Sequence, residues 1–250
     1  MSDILNNRRV LVTGAASGIG AAAVEVLGRA GARVAATFHN TPPPAETTAS
    51  WVKCDVTDEA SVRAAFAEAV ETLGGLDVLV HAAGLWKPGI PGQIDTANIR
   101  AMTDINFTST VLTNEAAYST MRESGGKIIN FGSSEAVSGS AISATYAAAK
   151  AAVHAWTRSA AKSWAADGVT VNALAPAVQT PGADRRTEFI GPEAAAQFEK
   201  QLKAAIPLGG KLGDPVDDLG PMLVFLSGEG SRFITGQLLA VNGGLLMLGS

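Results

Sequence analysis

The sequence predicts one α/β domain, built as a doubly wound parallel sheet of about seven strands with helices on both faces. Short apolar runs rich in β-branched residues alternate with helical patterns along the whole chain. A glycine-rich turn joins the first such run directly to the first helix, and no domain boundary or internal repeat interrupts residues 1–250. Alternation of this kind is typical of parallel sheets whose strands are connected through helices.

The composition suits such a domain and narrows its partners. Hydrophobic residues make up 47% of the chain and charged residues 17%, so a sizeable core can be buried. A net charge of −4 gives no reason to expect a nucleic acid or an anionic membrane surface as a partner. No run approaches the ~18 apolar residues that span a bilayer, and residues 1–9 lack the apolar stretch of a signal peptide. We therefore expect a cytoplasmic protein with a small-molecule partner.

Cysteine and histidine usage argues against disulfides and bound metal. Cys54 is the only cysteine, which excludes an internal disulfide and fits a reducing compartment. His39, His81 and His154 are scattered and lack ligand spacing with Cys54, so no metal site is predicted.

The first predicted element is a strand followed at once by the glycine-rich turn. Residues 9–13 read Arg-Val-Leu-Val-Thr, a short apolar run typical of a buried parallel strand. Residues 14–20, Gly-Ala-Ala-Ser-Gly-Ile-Gly, lead into a helical pattern over residues 21–29. Glycines let the backbone approach a pyrophosphate, which the free N–H groups at the helix N-terminus then hold. A glycine triplet is often only a tight turn, but its place between a strand and a helix favours nucleotide binding.

The second predicted strand, residues 33–38, bears on the type of cofactor. In dinucleotide folds an acidic residue near the end of this strand holds the adenosine ribose and excludes a 2′-phosphate. This chain has Phe38, His39 and Asn40 there and no carboxylate, so NADP(H) is favoured and NAD(H) is the alternative. Ser17 in the glycine loop is not the basic residue that would strengthen a phosphate site, and His39 could equally be an exposed loop histidine.

The same alternation continues through the next elements. Residues 40–50 are too few and too rich in proline for a crossover helix, so they are predicted as a loop. A strand at residues 51–54 precedes a helix at residues 59–72, whose start is capped by the acidic segment 55–58. Residues 76–81 form the fourth predicted strand.

The central part of the chain is predicted to form the catalytic edge of the sheet. A long helix is expected over residues 96–122, with Asn106 near its middle as an ordinary exposed or capping residue. The fifth strand, residues 126–132, delivers Ser133 at its C-terminal end, where open α/β sheets place their ligands. An alanine-rich helix then runs to about residue 166.

Tyr146 and Lys150 stand four residues apart on that alanine-rich helix and therefore share one face. A free tyrosine ionises near pH ~10 and is a poor acid or base at neutrality. An ammonium ~5 Å away would lower that pKa by ~2 units at an effective dielectric of ~20, which makes the phenol a usable proton donor and acceptor. A surface tyrosine beside a solvated lysine is the plainer interpretation, and Tyr118, with Arg122 four residues later, has no further motif around it.

After the sixth strand the pattern loosens. Residues 176–213 contain prolines, glycines and one helical patch at residues 193–205. A long irregular segment beyond a strand end is typical of a lid over a substrate, which we expect at about residues 181–213; a solvated surface insert is the alternative. The remaining elements are a sixth strand, a last helix and a last strand, at residues 169–175, 216–226 and 237–242.

Together these residues resemble the short-chain dehydrogenase/reductase superfamily over nearly the whole chain. The family's Thr-Gly-x-x-x-Gly-x-Gly loop is present at residues 13–20, and its Tyr-x-x-x-Lys pair is Tyr146 and Lys150. Ser133 precedes Tyr146 by the spacing that the family uses. The Asn-Asn-Ala-Gly segment is present only as His-Ala-Ala-Gly at residues 81–84. The usual Pro-Gly after the sixth strand is Pro-Ala.

The resemblance implies a Rossmann-like fold and an NAD(P)-dependent oxidoreductase that interconverts a carbonyl and a secondary alcohol. It implies four catalytic residues, Asn106, Ser133, Tyr146 and Lys150. Tyr146 would exchange the proton and Ser133 would hydrogen-bond the substrate oxygen. Lys150 would lower the pKa of Tyr146 and hold the nicotinamide ribose, and Asn106 would bind a water that links Lys150 to solvent.

The predicted cofactor site combines the glycine loop, the ends of the strands and the segment after the sixth strand. Its residues are Gly14, Ser17, Gly18, Ile19, Gly20, Phe38, His39, Asp55, Val56, Ala82, Ala83, Gly84, Tyr146, Lys150, Pro176, Val178 and Thr180. The resemblance implies that Asp55 lies beside the adenine ring and that Val178 and Thr180 hold the nicotinamide amide.

The predicted substrate site is less specific. Its candidate residues are Trp86, Glu135 and Ser143. Because no arginine belongs to the fixed part of this set, we expect a neutral ketone or secondary alcohol; Arg185 and Arg186 in the lid are the alternative anchors for an acid.

Two further expectations concern assembly and rival functions. The alanine-rich helix can pack closely against a copy of itself, as in relatives, which predicts a homodimer or homotetramer. A catalytically silent nucleotide-binding scaffold or sensor is the main alternative, and the presence of all four catalytic residues argues against it. An epimerase or dehydratase is a second alternative, but such relatives usually have a larger C-terminal substrate domain.

Overall fold

Seven strands form one parallel sheet in this computed structural model, which describes residues 4–45 and 47–247. The strands are β1 (Arg9–Thr13), β2 (Arg33–Phe38), β3 (Ser50–Lys53), β4 (Val78–His81), β5 (Gly126–Phe131), β6 (Val169–Pro176) and β7 (Leu238–Val241). Their order across the sheet is β3-β2-β1-β4-β5-β6-β7. The predicted doubly wound sheet is therefore confirmed, and its strand order reverses between β1 and β4, where such folds bind ligands.

Helices connect the strands and cover both faces of the sheet. The α-helices are α1 (Gly18–Arg29), α2 (Glu59–Leu73), α3 (Thr96–Thr103), α4 (Ser109–Met121), α5 (Glu135–Ser138), α6 (Ala144–Trp164), α7 (Pro181–Ala205) and α8 (Gly220–Ser227). A π-helical segment, Asp104–Thr108, joins α3 to α4, and 3-10 turns lie at Ala165–Asp167 and Glu229–Ser231. Within the described ranges, no helix is both long enough and apolar enough to cross a membrane.

The core consists of two apolar layers, one on each face of the sheet. Strand β1 illustrates how successive side chains alternate between them, because Leu11 enters the layer with α2, α4 and α6. Its neighbours Val10 and Val12 enter the layer with α1 and α8. All three are fully buried, which explains why the strand is apolar throughout rather than alternating with polar residues.

Local capping defines the helix starts that the sequence predicted. The Asp58 carboxylate accepts a hydrogen bond from the Ser61 N–H at 2.6 Å, and α2 starts at the next residue, Glu59. α2 ends at Gly74, whose φ of 74° is the left-handed conformation that glycine adopts at little cost. The predicted loop at residues 40–50 contains Glu46, which lies outside the described residues; its described part up to Ala49 has neither helix nor strand.

Three predicted elements differ from the structure. The expected helix over residues 96–122 contains the π-helical segment, and Asn106 within it is fully buried instead of exposed. The irregular segment after β6 is mostly helical, since α7 begins at Pro181 and continues past a break at Gly191. The last helix was expected from residue 216, but it begins only at Gly220. The remaining termini, Met1–Asp3 and Leu248–Ser250, lie outside the described residues.

Candidate active site

Two adjoining cavities open at the C-terminal edge of the sheet. The first is a cleft of about 380 Å³ along the ends of β1, β2 and β4. Every residue predicted to hold the cofactor lines this cleft except Gly20. Gly20 packs instead against the glycine loop, because a Cβ there would lie only 2.3 Å from the carbonyl oxygen of Gly14.

The glycine loop fits the pyrophosphate of a dinucleotide. Gly14 and Gly18 have φ values of 62° and 55°, and a Cβ on Gly14 would come within 2.6 Å of the Ala83 Cα. Ser17 precedes α1 with an extended backbone, and its side chain does not cap the helix. Gly18 and Ile19, the first residues of α1, line the cleft, and the Ser17 side chain does not occupy the free N–H groups of this helix start, which is the arrangement that binds phosphate.

The adenosine end of the cleft contains no carboxylate on β2. Phe38 and His39 line it there, and Asp55 and Val56 line it beyond β3. Thr57 donates hydrogen bonds to the Asp55 carboxylate from its hydroxyl and its N–H, and these lower the pKa of Asp55. His39 Nε2 lies 3.8 Å from that carboxylate. The histidine side chain is 47% exposed, so it can reach a ligand at the mouth of the cleft.

The predicted catalytic side chains meet where the cleft ends. Ser133 follows β5, while Tyr146 and Lys150 lie on one face of α6. Lys150 Nζ is 5.9 Å from the centroid of the Tyr146 ring and donates a hydrogen bond to the carbonyl of Phe131 at 2.9 Å. Because β5 runs directly beneath α6, this bond fixes the lysine head group at the sheet edge.

The expected lowering of the Tyr146 pKa by Lys150 is wrong for this structure. Burial raises the pKa of Tyr146 to about 12, and the negative charge of Glu135 adds to the rise. The Ser133 hydroxyl acts in the opposite direction, and so, more weakly, does the charge of Arg186. The ammonium of Lys150 contacts a carbonyl rather than the phenol, and burial lowers the pKa of Lys150 itself to about 8.

Asn106 supports the catalytic residues from the π-helical segment. Its carboxamide accepts from the Leu85 N–H at 3.2 Å and donates to the carbonyls of Leu85 and Met102. A Cβ on Gly84 would lie 3.1 Å from Asn106 Oδ1 and 3.5 Å from Lys150 Nζ, so the asparagine and the lysine flank one point of the chain. The carboxamide is therefore occupied, and the main-chain carbonyl of Asn106 accepts a hydrogen bond from the Thr110 hydroxyl at 2.8 Å, so the relay water expected at Asn106 stays a prediction.

The second cavity lies on the other side of Tyr146. It measures about 1200 Å³ and is enclosed by residues 133–142, by the segment after β6 and by α7. Trp86, Ser133 and Tyr146 line both cavities. A ligand in either cavity therefore meets two of the predicted catalytic side chains, Ser133 and Tyr146.

The chain matches a family model described as "Enoyl-(Acyl carrier protein) reductase" over residues 14–246. It is 36% identical to cis-4-hydroxycyclohexanecarboxylate dehydrogenase of Sinomonas cyclohexanicum, with 98% of each chain covered. It belongs to the short-chain dehydrogenase/reductase superfamily. A 2,5-dichloro-2,5-cyclohexadiene-1,4-diol dehydrogenase of Sphingobium indicum is 34% identical, again over 98% of each chain. The ligand-free structure of aldohexose dehydrogenase from Thermoplasma acidophilum superimposes with a TM-score of 0.89 at 26% identity, covering 100% of this chain and 99% of that one.

This short-chain dehydrogenase/reductase is therefore an NAD(P)-dependent oxidoreductase that acts on alcohol and carbonyl groups of small molecules. Its similar relatives are named dehydrogenases and reductases. Nothing in these matches favours the silent scaffold that the sequence left as an alternative. The glycine loop and the cleft fit the nicotinamide dinucleotide that the family uses.

The predicted substrate residues of this enzyme do not all reach the second cavity. Trp86 and Glu135 line it. Ser143, however, is fully buried and does not line the cavity, because its hydroxyl donates to Glu135 Oε2 at 2.6 Å. Glu135 Oε1 accepts from Arg186 Nη1 at 2.8 Å, so the carboxylate is held by partners on both sides.

Two histidines of this enzyme have structural roles that the sequence did not reveal. His154 Nε2 accepts a hydrogen bond from the Ser133 N–H at 3.3 Å, and the only sequence signal for it is its place four residues after Lys150. His81 stands where the family has an asparagine, and its Nδ1 lies 2.9 Å from the Thr13 hydroxyl and 3.0 Å from the Thr113 hydroxyl. Burial lowers the pKa values of His154 and His81 to about 4 and about 3, so both are neutral near pH 7.

Proposed function

We propose that this enzyme reduces a ketone, or oxidises the matching secondary alcohol, with Tyr146 as the acid and base. The observation that carries the proposal is that Ser133 and Tyr146 line both cavities. A substrate in the second cavity therefore contacts the phenol and the hydroxyl on the side that faces the first cavity.

The roles of the residues follow from their positions. A pKa of about 12 keeps Tyr146 protonated at neutral pH, so it can donate its proton to the substrate oxygen during reduction. The Ser133 hydroxyl donates a hydrogen bond to the same oxygen and stabilises negative charge that develops there. In this proposal Lys150 holds the nicotinamide ribose, and a water bound at Asn106 links Lys150 to solvent so that a proton can return to Tyr146. The bound nicotinamide supplies or accepts the hydride.

Substitution of Ser133 by alanine tests this proposal. Removal of one donor to a developing oxyanion lowers kcat by about 10²–10³-fold in other enzymes. We expect a loss of that size with NADPH affinity unchanged, as measured by steady-state kinetics and fluorescence titration. The matched control is Ser119→Ala, because Ser119 is an exposed serine on α4 whose hydroxyl only donates to its own helix. Equal activity of Ser133→Ala and Ser119→Ala would refute the role of Ser133.

We infer that NADP(H) is preferred to NAD(H). The support is the adenosine end of the cleft, where Phe38, His39 and Asn40 line the wall and Asp55 is already held by Thr57. Fluorescence titration with NADPH and NADH separately should give the lower Kd for NADPH. His39→Asp would supply the missing carboxylate and should reverse the order by repelling the 2′-phosphate. Tighter NADH binding by the unaltered protein would overturn the inference.

We propose a six-membered cyclic secondary alcohol or ketone as the substrate class. Two relatives are named for ring alcohols, one for cis-4-hydroxycyclohexanecarboxylate and one for a cyclohexadiene-1,4-diol. The second cavity of about 1200 Å³ has room for such a ring beside Tyr146. NADPH oxidation in the presence of cyclohexanone is the direct test. A faster rate with an open-chain ketone such as 2-hexanone would contradict the class.

Residues 1–250 are proposed to form one domain in which α7 acts as the core of a lid over residues 181–213. α7 has no buried residue, breaks at Gly191 and closes the second cavity, which suits a segment that moves when ligands bind. Hydrogen exchange of α7 amides should slow when NADPH and a ketone are added. Equal exchange with and without the ligands would contradict the lid.

Assembly into a homodimer or homotetramer through α6 is also proposed. Small side chains on the exposed side of this helix, including Ala148, Ala155 and Ser159, permit close helix packing. Sedimentation at micromolar concentration should give a multiple of 25.5 kDa, the mass of one chain. A monomer under those conditions would refute the proposal.

A further inference from the structure

Among residues 4–45 and 47–247, Arg186 is the one arginine that lines the second cavity. The guanidinium is held on two sides, by Glu135 Oε1 at 2.8 Å from Nη1 and by the Phe198 ring, whose centroid lies 4.4 Å from Cζ. Glu135 is in turn held by the Ser143 hydroxyl. The plane of the guanidinium is therefore fixed by the protein before any ligand binds.

The remaining donors of this guanidinium are not used by the protein. Nε is buried and has no hydrogen-bond partner among the described residues. Nη2 makes no hydrogen bond within the same ranges, while the side chain remains 29% exposed. A buried donor without an acceptor is rare in folded proteins because it loses its bond to water without replacement. An arginine that is oriented but not satisfied is thus suited to receive an acceptor from the ligand.

Trp86, which also lines the second cavity, presents the same feature. Its side chain is only 8% exposed, and its indole N–H is buried without a partner among the described residues. The ring packs edge-on against Phe189 of α7, with centroids 6.2 Å apart, and lines both cavities. Buried indole N–H groups normally find an acceptor. This second unsatisfied donor is independent of the Glu135–Arg186 pair.

We propose that the second cavity binds substrates with a second oxygen function away from the reacting carbonyl, and that Arg186, assisted by Trp86, anchors this oxygen. The proposal rests on the proposed ring substrate and adds to it the group that the enzyme recognises. Anchoring of this oxygen would fix the ring so that its carbonyl meets Tyr146 and Ser133. Substrates without the second oxygen leave both donors unsatisfied, which lowers their kcat/KM.

The anchored oxygen has two possible chemical sources, a neutral hydroxyl or carbonyl and a carboxylate. Glu135 already balances the charge of Arg186, which favours a neutral oxygen. Lys203 and Lys211 also line the cavity, with Glu199 as the other carboxylate there, so the lining has one excess positive charge that favours an anion. Both sources offer the same acceptor chemistry, and separate probes distinguish them.

Three ketones of equal ring size test the proposal with NADPH as reductant: cyclohexanone, 4-hydroxycyclohexanone and 4-oxocyclohexanecarboxylate. For the unaltered enzyme we expect at least one of the two substituted ketones to have a kcat/KM about tenfold or more above that of cyclohexanone. Preference for the hydroxyl compound identifies a neutral acceptor, and preference for the carboxylate identifies an anion. Either preference supports the proposal.

Variants separate anchoring from a purely structural role of the ion pair. Arg186→Leu should bring the ratio of kcat/KM between the substituted ketone and cyclohexanone close to one, whatever its absolute rate with cyclohexanone. Trp86→Phe keeps an aromatic ring but removes the indole N–H together with the five-membered ring, so it should lower the same ratio by a smaller factor. Lys200→Leu is the matched control, because Lys200 is an exposed cation of α7 that does not line the cavity. Arg186→Lys keeps the positive charge beside Glu135 but removes the planar guanidinium. A titration with NADPH verifies that each variant is folded.

The possible outcomes distinguish this inference from the proposed function. If the kcat/KM for cyclohexanone equals or exceeds that of both substituted ketones, the anchoring role fails and the ring-ketone function stands. The same conclusion follows if the ratio is equal in Arg186→Leu and the unaltered enzyme. If none of the three ketones is reduced although NADPH binds, the proposed substrate class fails and the anchoring role fails with it.

Discussion

The two walls of the second cavity are built in opposite ways. On the sheet side, Asn106 and Lys150 are buried and bonded to main-chain carbonyls, and Ser133 is held by the His154 ring. On the other side, α7 runs for 25 residues without a single buried side chain among those described, and it is interrupted at Gly191. Its one salt bridge to the sheet side, within the described residues, joins Arg186 to Glu135.

This difference indicates how one fold can serve many substrates. The side chains proposed to move protons are positioned by the sheet and by α6, where packing leaves them little freedom. The side chains proposed to select the substrate lie on a helix that can be changed with small effects on the core. Substitutions on the sheet-side wall should therefore change kcat, and those on the α7 wall should change KM and substrate preference.

The largest effect is expected at Tyr146 on the sheet-side wall. Tyr146→Phe removes the proposed proton donor to the substrate oxygen, so kcat should fall by about 10²–10⁴-fold. NADPH affinity should change little, because the aromatic ring is retained. Steady-state ketone reduction and a fluorescence titration measure the two quantities.

Tyr118→Phe is the control for this prediction. Tyr118 lies outside both cavities, donates its hydroxyl to Asp167 at 2.7 Å and stacks on Trp164. Full activity is expected for this variant. Comparable losses at the two tyrosines would show that the effect of Tyr146→Phe is structural and would remove the basis of the comparison between the two walls.

A second effect concerns Lys150 and pH. Burial lowers the pKa of Lys150 to about 8, so the free enzyme loses the ammonium charge as pH rises through that value. If the charged form is required, kcat/KM for reduction should be level below about pH 8 and fall about tenfold per unit above it. Tyr146, with its raised pKa of about 12, stays protonated across this range and contributes no second decline.

Lys150→Arg tests the assignment of that decline. A guanidinium does not lose its proton in this range, so the fall above pH 8 should vanish, whatever the residual rate. A decline of the same shape in Lys150→Arg would mean that another group titrates.

His154 should produce a smaller change in kcat. Its neutral ring accepts the Ser133 N–H, and a Cβ on Gly132 would lie 2.1 Å from Nε2, so the ring sits directly beneath the turn that carries the serine. His154→Leu removes the acceptor and should lower kcat about tenfold through a misplaced hydroxyl. His154→Gln retains an acceptor and should recover most of the loss, with KM for NADPH unchanged in both. Identical kinetics for the two variants would argue against a positioning role.

The sheet-side wall could largely be read from the sequence, because apolar runs and helical periods fix the order of its elements. Ser133, Tyr146 and Lys150 were found through spacing, which the backbone geometry preserves. Asn106 was expected at the surface, since a π-helical segment has no sequence period that differs visibly from an α-helix. The pKa of Tyr146 was misjudged because the direction of the Lys150 head group and the burial of the phenol depend on tertiary packing.

The α7 wall was less predictable for physical reasons. Gly191 and Pro192 are strong helix breakers, so the region read as irregular, whereas they only separate two helical halves. Ser143 looked like a cavity residue, but its hydroxyl turns inward to Glu135. Arg186 was one of two adjacent arginines with equal claims, but only Arg186 lines the second cavity and contacts Glu135 and Phe198, whereas Arg185 lines the first cleft.

The smallest predicted effect lies at the break in α7. Gly191 has φ 78° and ψ 168°, a conformation essentially restricted to glycine, although a Cβ there would meet nothing within 4 Å. Gly191→Ala should therefore strain the backbone without a clash and shift the two halves of α7. We expect KM for the ketone to rise by about fivefold, with kcat unchanged, because a strain of about 1 kcal/mol acts on binding alone.

Gly92→Ala is the matched control for that strain. Gly92 also has a positive φ, 89°, and a Cβ added there would meet nothing within 4 Å, but the residue lies outside both cavities. The thermal stability of Gly92→Ala should drop about as much as that of Gly191→Ala, while the KM for the ketone stays constant. If Gly191→Ala lowered kcat instead of raising KM, α7 would take part in the chemical step, and the division of labour between the two walls would be wrong.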